Sequence, residues 1–213
     1  MVGLDVGIEN PQFACLEIDY GDPEQSFSAV NTGNAQKTLT IYEMDLGLNH
    51  VIRKNIMPVE KTAHLLVAVP DSPGGAIVVC EDFLLYKRVD HEERKCYFPQ
   101  RHDLTANKTR RLFVTCQATF NHDGKFFFIL QSEYGDLFKV TLETTEAKVH
   151  SITIRYFDTL APGISINILK TGYLFHAAEA SNHGIYLFKS DGEDDPKPTV
   201  AHSQHTEKYD KNP

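Results

Sequence analysis

The residues able to do chemistry in this chain are many and scattered. Ten histidines, four cysteines and 29 acidic residues are spread over 213 positions. The histidines stand at 50, 64, 91, 102, 122, 150, 176, 183, 202 and 205, with no His-x-x-x-His or His-Glu-x-x-His spacing. Metal sites need converging ligands, and close pairs on one element are their usual sequence mark. Only His202 and His205 approach that, in a polar stretch. The histidines therefore read as structural or solvated, and no metal or cofactor is expected. Cys15, Cys80, Cys96 and Cys116 form no Cys-x-x-Cys pair, and three lie in or beside apolar runs. That suits reduced, mostly buried thiols of an intracellular protein. No Gly-x-Ser-x-Gly elbow and no Gly-x-x-x-x-Gly-Lys phosphate loop occurs. Glu92-Glu93 and Asp194-Asp195 are adjacent acids and read as solubility. Glu17, Glu133 and Glu179 each fall at or near the end of a comparable strand. They either point into a common opening or mark a polar strand end that recurs for structural reasons. No catalytic set is expected, and the chain reads as a non-enzyme.

One segment is chemically distinct. Residues 94–111 carry Arg94, Lys95, Arg101, Lys108, Arg110 and Arg111 against Asp103 alone, with Tyr97 and Phe98 beside Pro99. A basic loop with exposed aromatics can hold single-stranded RNA weakly, through phosphate contact and stacking. It can equally dock on an acidic protein face through arginine and tyrosine anchors. Or it is an ordinary solvated connection. The net charge of −8 argues against coating nucleic acid as the main task.

The elements that must carry these residues are β throughout. Asn121-His122-Asp123-Gly124 leads into Phe126-Phe127-Phe128-Ile129-Leu130, then Tyr134-Gly135, then Leu137-Phe138-Lys139-Val140. Lys170-Thr171-Gly172 leads into Tyr173-Leu174-Phe175, then His183-Gly184, then Ile185-Tyr186-Leu187-Phe188-Lys189. Gly124 and Gly172 stand 48 positions apart. A three-strand antiparallel unit at this period marks a propeller blade. Strands are expected at 13–20, 38–45, 49–54, 65–69, 76–80, 83–89, 112–120, 125–132, 136–143, 149–157, 164–169, 173–178 and 185–190. Residues 21–37 read as a polar insert. Asp123-Gly124 is a hairpin signal, because such turns need positive φ at one or both central positions. The consecutive apolar residues 126–130 predict a strand covered on both faces. No segment has sustained helical periodicity. The absence of tryptophan removes the signature of WD repeats. The pattern predicts an all-β, partial, open propeller of about four blades, of non-WD type. Residues 1–190 are its domain, and 191–213 form a polar tail expected to be disordered. The hydrophobic share of 41% supports a packed core, and no apolar run reaches the length of a membrane span. The beginning of the chain lacks the form of a secretory signal.

Several strings are familiar together. They are Val2-Gly3-Leu4-Asp5-Val6-Gly7 with Asn10-Pro11, Phe13-Ala14-Cys15-Leu16-Glu17 and Leu46-Gly47-Leu48-Asn49-His50-Val51-Ile52-Arg53-Lys54. Later come Phe126-Phe127-Phe128, Gly135-Asp136-Leu137-Phe138-Lys139-Val140-Thr141-Leu142-Glu143-Thr144, Tyr156-Phe157-Asp158-Thr159, Leu169-Lys170-Thr171-Gly172-Tyr173-Leu174-Phe175 and Asn182-His183. Over about residues 2–195 the chain resembles the family of splicing factor 3b subunit 3. That family is related to damaged-DNA-binding protein 1 and to the large subunit of the cleavage and polyadenylation specificity factor. The resemblance implies a piece of the first of three seven-bladed propellers, with 201–213 outside the family pattern. It implies a nuclear, non-enzymatic scaffold in the branch-site-recognising particle of pre-mRNA splicing. The implied partners are the helical-repeat largest subunit and the smallest subunit of splicing factor 3b. The alternative is a nucleic-acid-binding propeller module acting through 94–111.

Overall fold

The computed structural model describes residues 1–5, 10–18, 36–99, 111–169 and 171–188, and the backbone of 206–208. These residues form sixteen strands and no helix. The first sheet holds β1 (Val2–Asp5), β2 (Gln12–Ile18), β3 (Lys37–Asp45) and β4 (His50–Val59). The second holds β5 (Leu65–Ala68), β6 (Ala76–Val79), β7 (Phe83–Lys87) and β8 (Arg94–Tyr97). The third holds β9 (Val114–His122), β10 (Lys125–Ser132), β11 (Asp136–Thr145) and β12 (Lys148–Thr159). The fourth holds β13 (Gly163–Ile168), β14 (Tyr173–Ala178), β15 (Gly184–Phe188) and β16 (Thr206–Lys208). In every sheet the strands pair in chain order, and every pairing with a described register is antiparallel. Four sequential meanders are the blade form of the propeller class.

The repeating unit has four strands where the sequence pattern gave three. In the second sheet the fourth strand is β8, inside the segment read as a basic loop. Arg94-Lys95-Cys96-Tyr97 has no apolar alternation, so nothing in its pattern marked it. Charge on an edge strand is a common defence against unwanted pairing. Strand β4 runs on to Val59, beyond the expected end at Lys54. Pro58 reads as a breaker in sequence, but β4 is an edge strand and an edge tolerates proline. Strand β1 and the short β16, which pairs with β15 over Tyr186↔Lys208 to Phe188↔Thr206, had no sequence signal. The rest of 191–213, and most of the 21–37 insert, lie outside the described residues.

The chain divides into two compact units, Met1–Lys95 with Thr144–Val149, and Cys96–Glu143 with His150–Pro213. Within the first, Ala14 and Leu39 of the first sheet pack with Leu66, Val78 and Leu85 of the second. Within the second, Ile129 and Leu137 of the third sheet pack with Ile166 and Leu174 of the fourth, and Phe157 meets Phe188 at 5.5 Å. Each pair of sheets thus shares an apolar layer, the main favourable term in its folding.

The Asp123-Gly124 signal holds. Both residues have positive φ, 51° and 74°, and His122 pairs with Lys125 across the two-residue turn. Strand β10 is buried on consecutive positions from Phe128 to Ser132, as a strand covered on both faces must be. Phe126 and Phe127 are only half-buried, because they lie near the hairpin end of that strand. The spacing of the second repeat glycines has two unrelated causes. A Cβ on Gly135 would clash with the Leu160 carbonyl oxygen, and its φ is +87°. Gly184 has no positive φ, and its Cβ would meet the Tyr186 ring at 2.7 Å.

Candidate functional site

Five of the eight residues singled out in the basic segment are described; Arg101, Lys108 and Arg110 lie outside the described residues. Arg94 begins β8 and is already engaged. Its Nη2 lies 2.8 Å from Glu92 Oε2, and its Nε donates to the Val149 carbonyl at 3.3 Å. Lys95 places its ammonium 3.7 Å from the centroid of the Phe83 ring, a cation–π contact. Tyr97 is 63% exposed. Phe98 is buried and meets Phe138 edge to face at 5.1 Å. The expectation of an exposed aromatic pair is therefore corrected at Phe98, since a ring inside the core cannot stack on a base. The Arg111 carbonyl accepts a hydrogen bond from Tyr134 Oη at 3.5 Å.

Arg94 works with a residue that the charge pattern did not single out. Arg88 Nη1 donates to the Ala147 carbonyl at 2.9 Å. Two guanidinium groups thus hold the tip of the β11–β12 hairpin, whose turn residues Glu146 and Ala147 have φ of 50° and 60°. Neither is glycine, so the turn is strained and carried no turn signal. Arginine at this place satisfies carbonyls as well as carrying charge.

The three recurrent glutamates separate. Glu17 is built into a hydrogen-bonded group on the first sheet: its carboxylate accepts from Thr40 Oγ1 at 2.5 Å and Tyr42 Oη at 2.6 Å. These bonds hold the Glu17 carboxyl below the usual range, and the same contact raises the Tyr42 phenol. Glu133 and Glu179 are exposed. Their amides repeat one arrangement, Glu133 N to Phe113 O at 2.8 Å and Glu179 N to Pro162 O at 3.0 Å. The repetition at the ends of β10 and β14 fits the recurrent strand end for those two.

A buried polar cluster between the third and fourth sheets had no sequence signal. Gln131 donates to the Gly135 carbonyl at 3.2 Å and the Ala161 carbonyl at 3.0 Å. Cys116 Sγ lies 3.5 Å from Gln131 Oε1, and Thr115 Oγ1 donates to the Gly163 carbonyl at 3.2 Å. His176 is fully buried beside them, with neither ring nitrogen in hydrogen-bond geometry. Burial lowers its pKa, His183 adds to that, and the Ala161 backbone opposes it. Its members converge through register across four strands, so no short spacing could reveal them. His64 and His91 contact backbone carbonyls at 3.2 and 2.9 Å. Among the described residues no three His, Cys, Asp or Glu are placed to hold a metal. The four cysteines are free, and burial pushes the Cys80 thiol up to about 11. A thiol held protonated is a poor nucleophile.

These contacts are structural: guanidinium groups on backbone carbonyls, a carboxylate on two hydroxyls, and polar side chains bonded across strands. The chain is 43% identical to Splicing factor 3B subunit 3 of Drosophila melanogaster over 205 residues, 94% of this chain and 17% of that protein. It is 40% identical to Splicing factor 3B subunit 3 of Danio rerio over 214 residues, 99% of this chain and 18% of that protein. It is 40% identical to Pre-mRNA-splicing factor RSE1 of Mycosarcoma maydis, covering 97% of this chain and 18% of that protein. The chain thus spans less than a fifth of the length of these relatives. A family profile, RSE1/DDB1/CPSF1 first beta-propeller, matches residues 1–207, which carries the family pattern past about residue 195, where the resemblance was expected to end, and into the stretch from 201 expected to lie outside it. With four sequential four-stranded meanders and a match over nearly its whole length, the chain belongs to the RSE1/DDB1/CPSF1 first beta-propeller family.

Proposed function

We propose that this chain serves as a non-enzymatic scaffold segment in pre-mRNA splicing, in the nucleus. The observation that carries the reading is identity of 40–43% over nearly the whole chain to proteins whose names are those of splicing factors. The fold is suited to the role: strands locked in sheets, with turns held by hydrogen bonds, lose little entropy when a partner binds. The proposed partners are the largest, helical-repeat subunit and the smallest subunit of splicing factor 3b.

Nucleic-acid binding through 94–111 is the weaker reading. Arg94 and Lys95 are engaged within the chain and Phe98 is buried, so much of the described part of the segment is committed to the fold. The test is reconstitution. The full polypeptide, with and without residues 1–188, is mixed with the other splicing factor 3b subunits and run through size exclusion. Co-elution that needs this segment supports the scaffold. Tight, sequence-selective RNA binding that persists at physiological salt and is lost in Arg101→Ala/Arg110→Ala overturns it, because phosphate contacts alone fade steeply with salt.

A further inference from the structure

Five of the described histidines sit where a proton does no harm to the fold. His50 and His150 are exposed. His64 Nδ1 and His91 Nδ1 face the Thr62 and Val89 carbonyls at 3.2 and 2.9 Å, and a carbonyl accepts from a charged ring as well as from a neutral one. His122 Nε2 lies 3.2 Å from the Asp123 carboxylate. The other two, His176 and His183, both belong to the β14–β15 hairpin of the fourth sheet, one on the strand and one at the turn.

His183 Nδ1 accepts the Ala178 amide at 3.1 Å. A protonated ring donates at both nitrogens, so this bond exists only while Nδ1 is bare. His176 is fully buried, and among the described residues neither of its ring nitrogens is in hydrogen-bond geometry. The groups that face it are neutral. A Cβ on Gly163 of β13 would lie 2.5 Å from His176 Nε2 and 2.6 Å from Gln131 Oε1 of β10, so ring and amide converge on one point. Cys116 Sγ of β9 lies 3.5 Å from the same Oε1, and the Tyr186 ring of β15 meets the imidazole at 6.2 Å. Burial pushes the Cys116 thiol and the Tyr186 phenol up, so both keep their protons. The Asp158 carboxylate of β12 acts on Tyr186, while the charge that acts on His176 is that of His183, against the Ala161 backbone. A cation on His176 is thus buried without an opposite charge, which is costly.

The same place joins the third sheet to the fourth. Thr115 Oγ1 donates to the Gly163 carbonyl at 3.2 Å, Cys116 Sγ lies 3.7 Å from that oxygen, and Leu174 of β14 packs in one apolar cluster with Cys116. We propose that the β14–β15 hairpin is an acid-released catch: neutral His176 and His183 hold it on the third sheet, and their protonation frees it and uncovers Cys116 while the first unit stays folded. Proteins open locally where a cooperative element is held by few contacts, and here two titratable rings hold one element.

Cys80 supplies the internal standard, because it is as buried as Cys116 but lies in the first unit. The full polypeptide is treated from about pH 8 to about pH 5 with a dipyridyl disulfide, which reacts in acid, and labelling is read peptide by peptide by mass spectrometry, normalised to the denatured protein at each pH. The ratio of Cys116 to Cys80 labelling is expected to rise below about pH 6.5, by up to about tenfold per pH unit for each proton taken up. His176→Leu should flatten that rise, and His183→Asn, whose Oδ1 accepts the Ala178 amide without titrating, should make it shallower. If His176→Leu does not melt cooperatively, His176→Gln replaces it. Equal labelling of both cysteines in acid means global unfolding and overturns the catch. Protection of Cys116 throughout, or a rise that both variants retain, overturns it as well.

Discussion

At the scale of single residues, His176 and Glu17 make the stability of the fold sensitive to acid. Burial lowers the pKa of His176 from its ordinary 6.5, so the folded state holds the neutral ring while the unfolded chain takes up a proton. Its contribution is complete above about pH 6.5 and declines as pH falls below that value toward the folded pKa. Glu17 is shifted down by Thr40 and Tyr42, so its contribution is present above its unfolded pKa and is lost as pH falls through the folded one. Denaturant titrations from about pH 2 to 8 should show two separable losses. His176→Leu should flatten the one that begins below about pH 6.5, and Glu17→Gln the more acidic one; an unchanged profile in either variant rejects its assignment. Gly163→Ala tests the same cluster by shape. A Cβ there would lie 2.5 Å from His176 Nε2 and 2.6 Å from Gln131 Oε1, so roughly 1–3 kcal/mol of stability should be lost. Sequence counted these residues correctly and could not pair them, since the partners come from other strands.

At the scale of elements, β10 is the central strand of the third sheet's core. Phe128 is fully buried, and Phe128→Ala should destabilise by about 3–5 kcal/mol. Phe127, half-buried, should cost clearly less, and equal effects in thermal melts would contradict the burial assigned to the strand. The β11–β12 turn gives a gain instead. Ala147 sits at φ 60°, a conformation that glycine adopts without steric penalty, so Ala147→Gly should stabilise by roughly 0.5–1 kcal/mol. Strands with apolar runs and the Asp-Gly hairpin were legible because side-chain period and turn chemistry are local. Strand β8 and the Glu146-Ala147 turn were not legible. The first is a charged edge, and the second is held by Arg88 and Arg94 from a distant part of the chain.

At the scale of the molecule, the fourth sheet has one face in the core and one outside it. Leu174, His176 and Ala178 are buried, while Phe175, Ile185 and Leu187 are exposed. Phe175 pairs with Ile185 and Tyr173 with Leu187, so the exposed residues share one face. An apolar sheet face of this kind tends to drive association. The isolated 213-residue chain is expected to self-associate in size exclusion with light scattering, and Phe175→Glu/Ile185→Lys to reduce it. A well-behaved monomer in the unmodified chain would mean that this face is covered.

Sequence by itself determined the β class, the recurring meander, the Asp123-Gly124 turn and the family, all of which follow from local period, local turn chemistry and string identity. Only the tertiary structure decided which basic residues are spent on carbonyls, that Phe98 is core and that Glu17 is bonded to Thr40 and Tyr42. It also decided that His176, Gln131, Cys116 and Gly163 meet. The reason is physical. A strand's own pattern says which face is apolar, but the identity of a polar group's partner depends on cross-strand register and sheet packing, which join residues far apart in the chain.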